Sequence, residues 1–198
     1  MALCVLSQAG VYMSAEMDRK LFTVDDYSRM EDAGILRPED RVELIRGEIV
    51  KMSPIDPRHM AAVDKANRTF VRLAGDDAIV RIQGAVVLDR FSAPEPDIVL
   101  LRPRDDFYAT RHAGPPDILL IIEVADTSLA FDSTVKAGLY AILKVPEYWI
   151  ADLQENRVLC YSDPRKDSYR LVREFRRGDM VAPLLLPNCR LNADILLP

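Results

Sequence analysis

The chain has 198 residues, 49% of them hydrophobic and 29% charged, with 26 Lys and Arg against 31 Asp and Glu. A globular chain of this length buries roughly 70% of the surface its unfolded form exposes, so one core suffices and a second full domain is not expected. The net charge of −5 excludes a generic polyanion binder, whose affinity comes from phosphate neutralisation by Lys and Arg. It leaves room for a nuclease in which a cation held by carboxylates supplies the local positive charge.

Residues 1–15 carry no charged side chain but lack a basic n-region, and no stretch approaches the ~18 apolar residues of a membrane span. Residues 1–20 are expected to form a disordered extension and residues 21–198 one domain. Cys4, Cys160 and Cys189 lie far apart without CxxC spacing, which fits a reducing, cytoplasmic setting.

Thr23 is placed to cap a helix with Asp25 and Asp26 in its first turn, Tyr27 and Met30 on its apolar side and Gly34 at its end. Arg41 to Met52 reads as two short strands joined at Arg46-Gly47. That register sets Ile45 opposite Glu48 and Glu43 opposite Val50, and gives both acids an apolar face. From Arg58 to Leu73, Met60, Val63, Ala66, Phe70 and Leu73 recur at helical spacing. Strands are predicted at Ile79 to Leu88, Pro96 to Leu101 and Asp117 to Val124, forming the centre of a sheet, with the run ILLII buried on both faces. A helix from Asp132 to Leu143, through Val135, Leu139 and Ile142, precedes the strand EYWIAD, whose Trp149 belongs to the core. The order is helix, three strands, helix, strand. Arg102 to Pro116 is a moderately basic surface loop, and past Asp152 the chain is β-rich, with a turn at Asp163-Pro164.

Several chemistries are missing. Two histidines and scattered cysteines cannot build a usual zinc site. The glycines form neither GxGxxG nor GxxxxGK[ST], and there is no GxSxG elbow. Acids and lysine remain. Asp97 heads one central strand and Glu123 closes the next, so their carboxylates can converge at one end of the sheet. Held together they repel, and a divalent cation relieves the repulsion. The plainer alternative is a strand cap and a paired core acid. Glu123 follows five apolar residues, where an unpaired carboxylate costs several kcal/mol, and this favours the metal.

The element order and these acids resemble the PD-(D/E)XK nuclease superfamily, and within it the Uma-two family of endonuclease-like proteins of bacterial genomes. The segments that carry the likeness are RVELIRGEIVKMSP from Arg41, SPIDPRH ending at His59, PEPDIVLL from Pro94, IIEVADTSLAFD from Ile121, KAGLYA from Lys136 and VPEYWIADL from Val145, spanning roughly Phe22 to Tyr169. The resemblance implies a restriction endonuclease-like α/β core of order αβββαβ, a mixed sheet flanked by helices, with an N-terminal helix and β-hairpin and a C-terminal β extension. It also implies a Mg²⁺- or Mn²⁺-dependent endonuclease acting on DNA, often as a homodimer.

Carried onto this chain, Asp97 and Glu123 would ligate the metal with the Val124 carbonyl as a third ligand. The superfamily's lysine position, two residues past the acid, is Ala125 here. The resemblance offers Lys136 instead, one turn from Tyr140; the alternative for Lys136 is a surface pair with Asp132. Glu43 and Glu48 are candidates for an additional acid, or else a solvated hairpin edge. Arg58 and His59, at a helix start, could contact phosphate with help from the helix dipole, or serve as cap and surface charge, and the resemblance adds Tyr140 as a third nucleic-acid contact. Gln83 matches a family position without an evident role. Asp126 replaces the family's usual Ser, and DSTV replaces Asp-Arg-Gly before the lysine. Ala125 keeps one alternative open, a noncatalytic DNA- or protein-binding module of the same fold in a mobile-element or defence system.

Overall fold

A computed structural model describes residues 19–198, so most of the expected N-terminal extension, residues 1–18, lies outside the described residues. Helix α1 (Val24–Asp32) starts from a capping box in which the Thr23 hydroxyl accepts from the Asp26 N–H while the Asp26 carboxylate accepts from the Thr23 N–H, and Gly34 beyond its end takes φ 68°. Strands β1 (Val42–Ile45) and β2 (Glu48–Lys51) pair in the expected register, Ile45 opposite Glu48 and Glu43 opposite Val50. Arg46 and Gly47 both take positive φ, the conformation of a tight hairpin. Gly47 is required there twice over, since a Cβ would also stand 2.7 Å from Leu21.

Helix α2 (Pro57–Ala74) carries a Pro at its first position behind the cap Asp56. Its buried stripe is Ala62, Val63, Ala66, Phe70 and Ala74, whereas Met60 and Leu73, expected in the stripe, are exposed. Apart from Phe70 the stripe is one of small residues. They let the helix lie close to the sheet, and the longer Met60 and Leu73 flank it.

The main sheet has six strands in the order β3 (Ile79–Ile82), β4 (Ile98–Leu101), β5 (Ile118–Ala125), β6 (Glu147–Asp152), β7 (Arg157–Arg165), β8 (Ser168–Arg176). All neighbours are antiparallel except β5 and β6. The parallel pair needs a crossover, and the helical stretch 129–142 provides it. That stretch is α3 (Leu129–Phe131), a π-helical turn (Asp132–Lys136) and α4 (Ala137–Ile142). Every residue of β5 is buried, as the apolar run required. One face of the sheet packs Leu120, Ile122, Trp149 and Val158 against α2, and Leu196 and Leu197 of the C-terminus join this cluster. The other face packs Ile121, Ala125, Tyr148 and Ile150 beneath Ala137, Tyr140 and the hairpin's Ile45.

Three further sequence expectations change. The strand expected over Ile79 to Leu88 stops at Ile82, where Gln83 turns left-handed at φ 45° and donates its N–H to the Asp97 carbonyl. Strand β3 is also an edge rather than central, because β7 and β8 extend the sheet on its far side. And the chain does not turn at Asp163-Pro164: the β7–β8 ladder keeps one register from Ser162 to Pro164 past Asp163, which takes φ 59°, and the reversal comes at Lys166-Asp167. Pro164 lies past the end of the β6 pairing, so on that side its missing N–H breaks no ladder. Strands β9 (Met180–Val181) and β10 (Leu191–Asn192) form a separate small ladder.

Candidate active site

The antiparallel register explains why Asp97 and Glu123 meet. Ile98 pairs with Ile122, so one step on Asp97 stands opposite Glu123, and alternation turns both side chains to the face under α4. Asp97 and Glu123 are buried, and the Asp97 N–H donates to Glu123 Oε2 at 3.2 Å. The Val124 N–H donates to Asp97 Oδ2 at 2.8 Å. An extended residue directs its N–H and C=O to the same strand edge, so the Val124 carbonyl leaves β5 on the Asp97 side.

Lys136 comes from the π turn and is buried. Its Nζ stands 3.0 Å from Glu123 Oε1 and 3.0 Å from Glu43 Oε1. The surface pair with Asp132 is therefore not what the helix builds: both residues point inward. Asp132 is itself buried, its carboxylate accepting from the Ser128 hydroxyl. The sequence reading used Asp132 only as that surface partner, and nothing in its spacing marked it as a site acid. Single π turns recur at functional sites, where they re-aim side chains. The Tyr140 hydroxyl, fully buried, donates to Glu123 Oε1 at 3.2 Å. It holds the acid and has no surface to offer a nucleic acid.

The two hairpin acids separate. Glu43 is buried, accepts from the Glu95 N–H at 3.1 Å and reaches Lys136. Glu48, at the turn end, is exposed and paired with Arg19 at 2.8 Å, away from the cluster. The two residues at the start of α2 separate as well. His59 places Nε2 2.9 Å from Asp97 Oδ1. The Arg58 guanidinium is turned to Asn156 Oδ1 and the Pro198 carbonyl. The N–H groups of both residues are taken by the Asp56 carboxylate, so these helix-end donors are already used. The cap is thus Asp56, and Arg58 and His59 are the residues it caps.

Glu43, His59, Asp97, Glu123, Asp132 and Lys136 line a cleft of about 270 Å³ together with Arg41, Met52, Asp126 and Ser128. Four buried acids, Glu43, Asp97, Glu123 and Asp132, face one buried ammonium. Burial pushes the Glu123 carboxyl above the ordinary carboxylate range against the pull of Lys136, with Asp97, Asp132 and Glu43 adding to the rise. Burial likewise raises Asp132. Burial disfavours charge on Lys136, but Glu123, Glu43 and Asp132 overcome it and hold the ammonium charged. Burial also opposes charge on His59, and the hydrogen bond and charge of Asp97 raise it overall. Among the described residues no three His, Cys, Asp or Glu stand as a ready metal cage, because Lys136 spans Glu43 and Glu123 while His59 covers Asp97. The donors still suit a hard divalent cation: carboxylate oxygens and a backbone carbonyl, with an excess of buried negative charge, open to solvent.

A six-stranded mixed sheet with a crossover helix, carrying its acids where β4 and β5 meet, defines a restriction endonuclease-like protein. The chain belongs to the Uma2 family, described as "Putative restriction endonuclease", which it matches over residues 24–194. Among solved structures it resembles a "putative nuclease belonging to DUF820" from Anabaena variabilis ATCC 29413. That match has a TM-score of 0.68 and 17% identity over 88% of this chain and 97% of the other. No curated protein matches it. Among the described residues no helix is long and apolar enough to cross a membrane.

Proposed function

We propose that the cleft hydrolyses DNA phosphodiester bonds with a bound divalent cation, Mg²⁺ or Mn²⁺. The observation that carries this reading is the placement of Lys136, buried and 3.0 Å from Glu123, beside Asp97 on the same face. Asp97, Glu123 and the Val124 carbonyl would hold the cation, which when bound polarises the phosphoryl group and makes water a stronger acid. His59 fixes Asp97 and Tyr140 fixes Glu123. Glu43 and Asp132 keep Lys136 charged, so its ammonium can stabilise the negative charge that builds at phosphorus.

Ala125 had kept a noncatalytic module open. It is fully buried in the cluster that also holds Ala137 and Tyr140, on the face where Lys136 brings its amine to Glu123. The helix thus supplies the amine that the strand lacks, which favours the enzyme. Purified protein should nick or linearise supercoiled plasmid in Mg²⁺ or Mn²⁺ and not in EDTA, and Asp97→Asn should abolish the reaction. Equal cleavage in EDTA, or undiminished cleavage by Asp97→Asn, would overturn the proposal.

A further inference from the structure

Beside the cleft lies a second and larger cavity of about 690 Å³, which shares Arg41 and Met52 with it as common walls. The volume falls in the ~300–1,000 Å³ range of pockets that enclose small ligands. Apolar side chains, Leu36, Met52 and Ile55, form one kind of surface; Gln83 and three acids, Glu31, Asp32 and Glu95, add hydrogen-bonding groups, and Arg37 and Arg41 add positive charge. This lining suits a base more than its phosphates: apolar walls for the base faces, an amide and carboxylates for its edges, and two guanidinium groups, set among three acids, to meet a flanking phosphate.

Its walls are tied to the acids of the cleft. The Gln83 N–H donates to the Asp97 carbonyl at 3.1 Å, and the Glu95 N–H donates to Glu43 Oε2 at 3.1 Å. Arg41 and Gln83, both on the cavity wall, hold left-handed backbone at φ 46° and 45°, a strain that collects at ligand-binding positions. The chain's surplus of acids, 31 against 26 basic residues, leaves little for gripping a duplex by its phosphates. A concave pocket that reads a base suits such a chain better.

We propose that this cavity receives a nucleobase swung out of its stack, next to the phosphodiester that a cation at Asp97 and Glu123 would bind, so that the substrate class is single-stranded or locally unpaired nucleic acid. The inference rests on the reading of the neighbouring cleft as a phosphodiesterase site. A base stacked in a matched duplex cannot enter a concave pocket without leaving its partner, and an unpaired base enters at little cost. Gln83, without a role in the cleft, becomes a contact to the base edge, and Arg37 a contact to a flanking phosphate.

The test reads binding by the full chain in Ca²⁺, a hard cation suited to the same oxygen donors, with each probe recovered intact so that turnover plays no part. The probes are a fluorescently labelled short oligonucleotide as a single strand, the same strand in a matched duplex, and a single strand carrying 2-aminopurine, whose emission reports its surroundings. The single strand should bind at least about tenfold tighter than the duplex, and 2-aminopurine emission should change on binding. Arg37→Ala and Gln83→Asn, at exposed positions, should each weaken single-strand binding about tenfold with the melting temperature unchanged. Equal affinity for matched duplex, or both variants binding as wild type, would overturn the inference. The two readings fail separately. The expected binding pattern without cleavage in Mg²⁺ would sink the nuclease and keep the pocket, and cleavage of matched duplex without preference would do the reverse.

Discussion

Replacing Lys136 by Met removes the one buried cation among four buried acids while leaving a side chain of similar length. The ammonium stands 3.0 Å from an oxygen of Glu43 and 3.0 Å from one of Glu123. At an effective dielectric constant of about 20, each contact is worth about 5 kcal/mol of attraction. Desolvating the ammonium and the carboxylates costs several kcal/mol per ion, which offsets most of that attraction in the wild type. The variant loses the attraction but keeps the desolvated acids, so Lys136→Met should cost about 3–5 kcal/mol. Urea unfolding in EDTA at neutral pH measures this as a lower midpoint at unchanged slope. Adding Glu43→Gln removes one of the stranded acids, and the double variant should recover at least about 1 kcal/mol relative to additivity. A loss under about 0.5 kcal/mol, or strict additivity, would refute the reasoning that Lys136 makes the burial of these acids tolerable.

Tyr140→Phe deletes a buried hydroxyl 3.2 Å from Glu123 and should cost about 1 kcal/mol in urea unfolding, with slower plasmid cleavage because Glu123 is less firmly held. Trp149→Ala empties a fully buried site beside Phe70, the ring centroids 6.3 Å apart, and should cost about 3–5 kcal/mol by the same assay. Asp117 accepts from the Arg111 guanidinium at 2.6 and 2.9 Å and from the Gly114 N–H at 2.8 Å. The Arg111 hydrogen bond holds its carboxyl below the ordinary 3.8. A lowered carboxyl stabilises the fold above its ordinary value and loses that contribution as the pH falls through its folded value. Wild type should therefore exceed Asp117→Asn by about 1 kcal/mol at neutral pH, and unfolding curves on acidification below pH 3.8 should show the gap closing.

What the sequence made legible was local. The hairpin register followed from two apolar alternations around Arg46-Gly47, and it placed Glu43 opposite Val50 correctly. The convergence of Asp97 and Glu123 followed from strand ends flanking a fully apolar run. Glu43 and Glu48 could not be told apart, because both lie on the same hairpin face; only packing over the sheet buries the first and leaves the second at the exposed turn. Asp132 was invisible for a similar reason. Four residues before Lys136 on a helix, it has the spacing of a surface ion pair, and only the π turn and the covering hairpin turn both residues inward. The edge position of β3 depends on which strands extend the far side of the sheet, a long-range pairing with no local signature. The left-handed Gln83 that ends it sits in a segment whose composition reads as strand.

The most direct measurement is calorimetric titration of Mn²⁺ into the metal-free protein, beside Asp97→Asn and Glu123→Gln. One ion per chain should bind the wild type, with the affinity of each variant reduced at least about tenfold by loss of a carboxylate ligand. Absence of binding by the wild type, or binding that both variants keep undiminished, would contradict a divalent-cation site at Asp97 and Glu123.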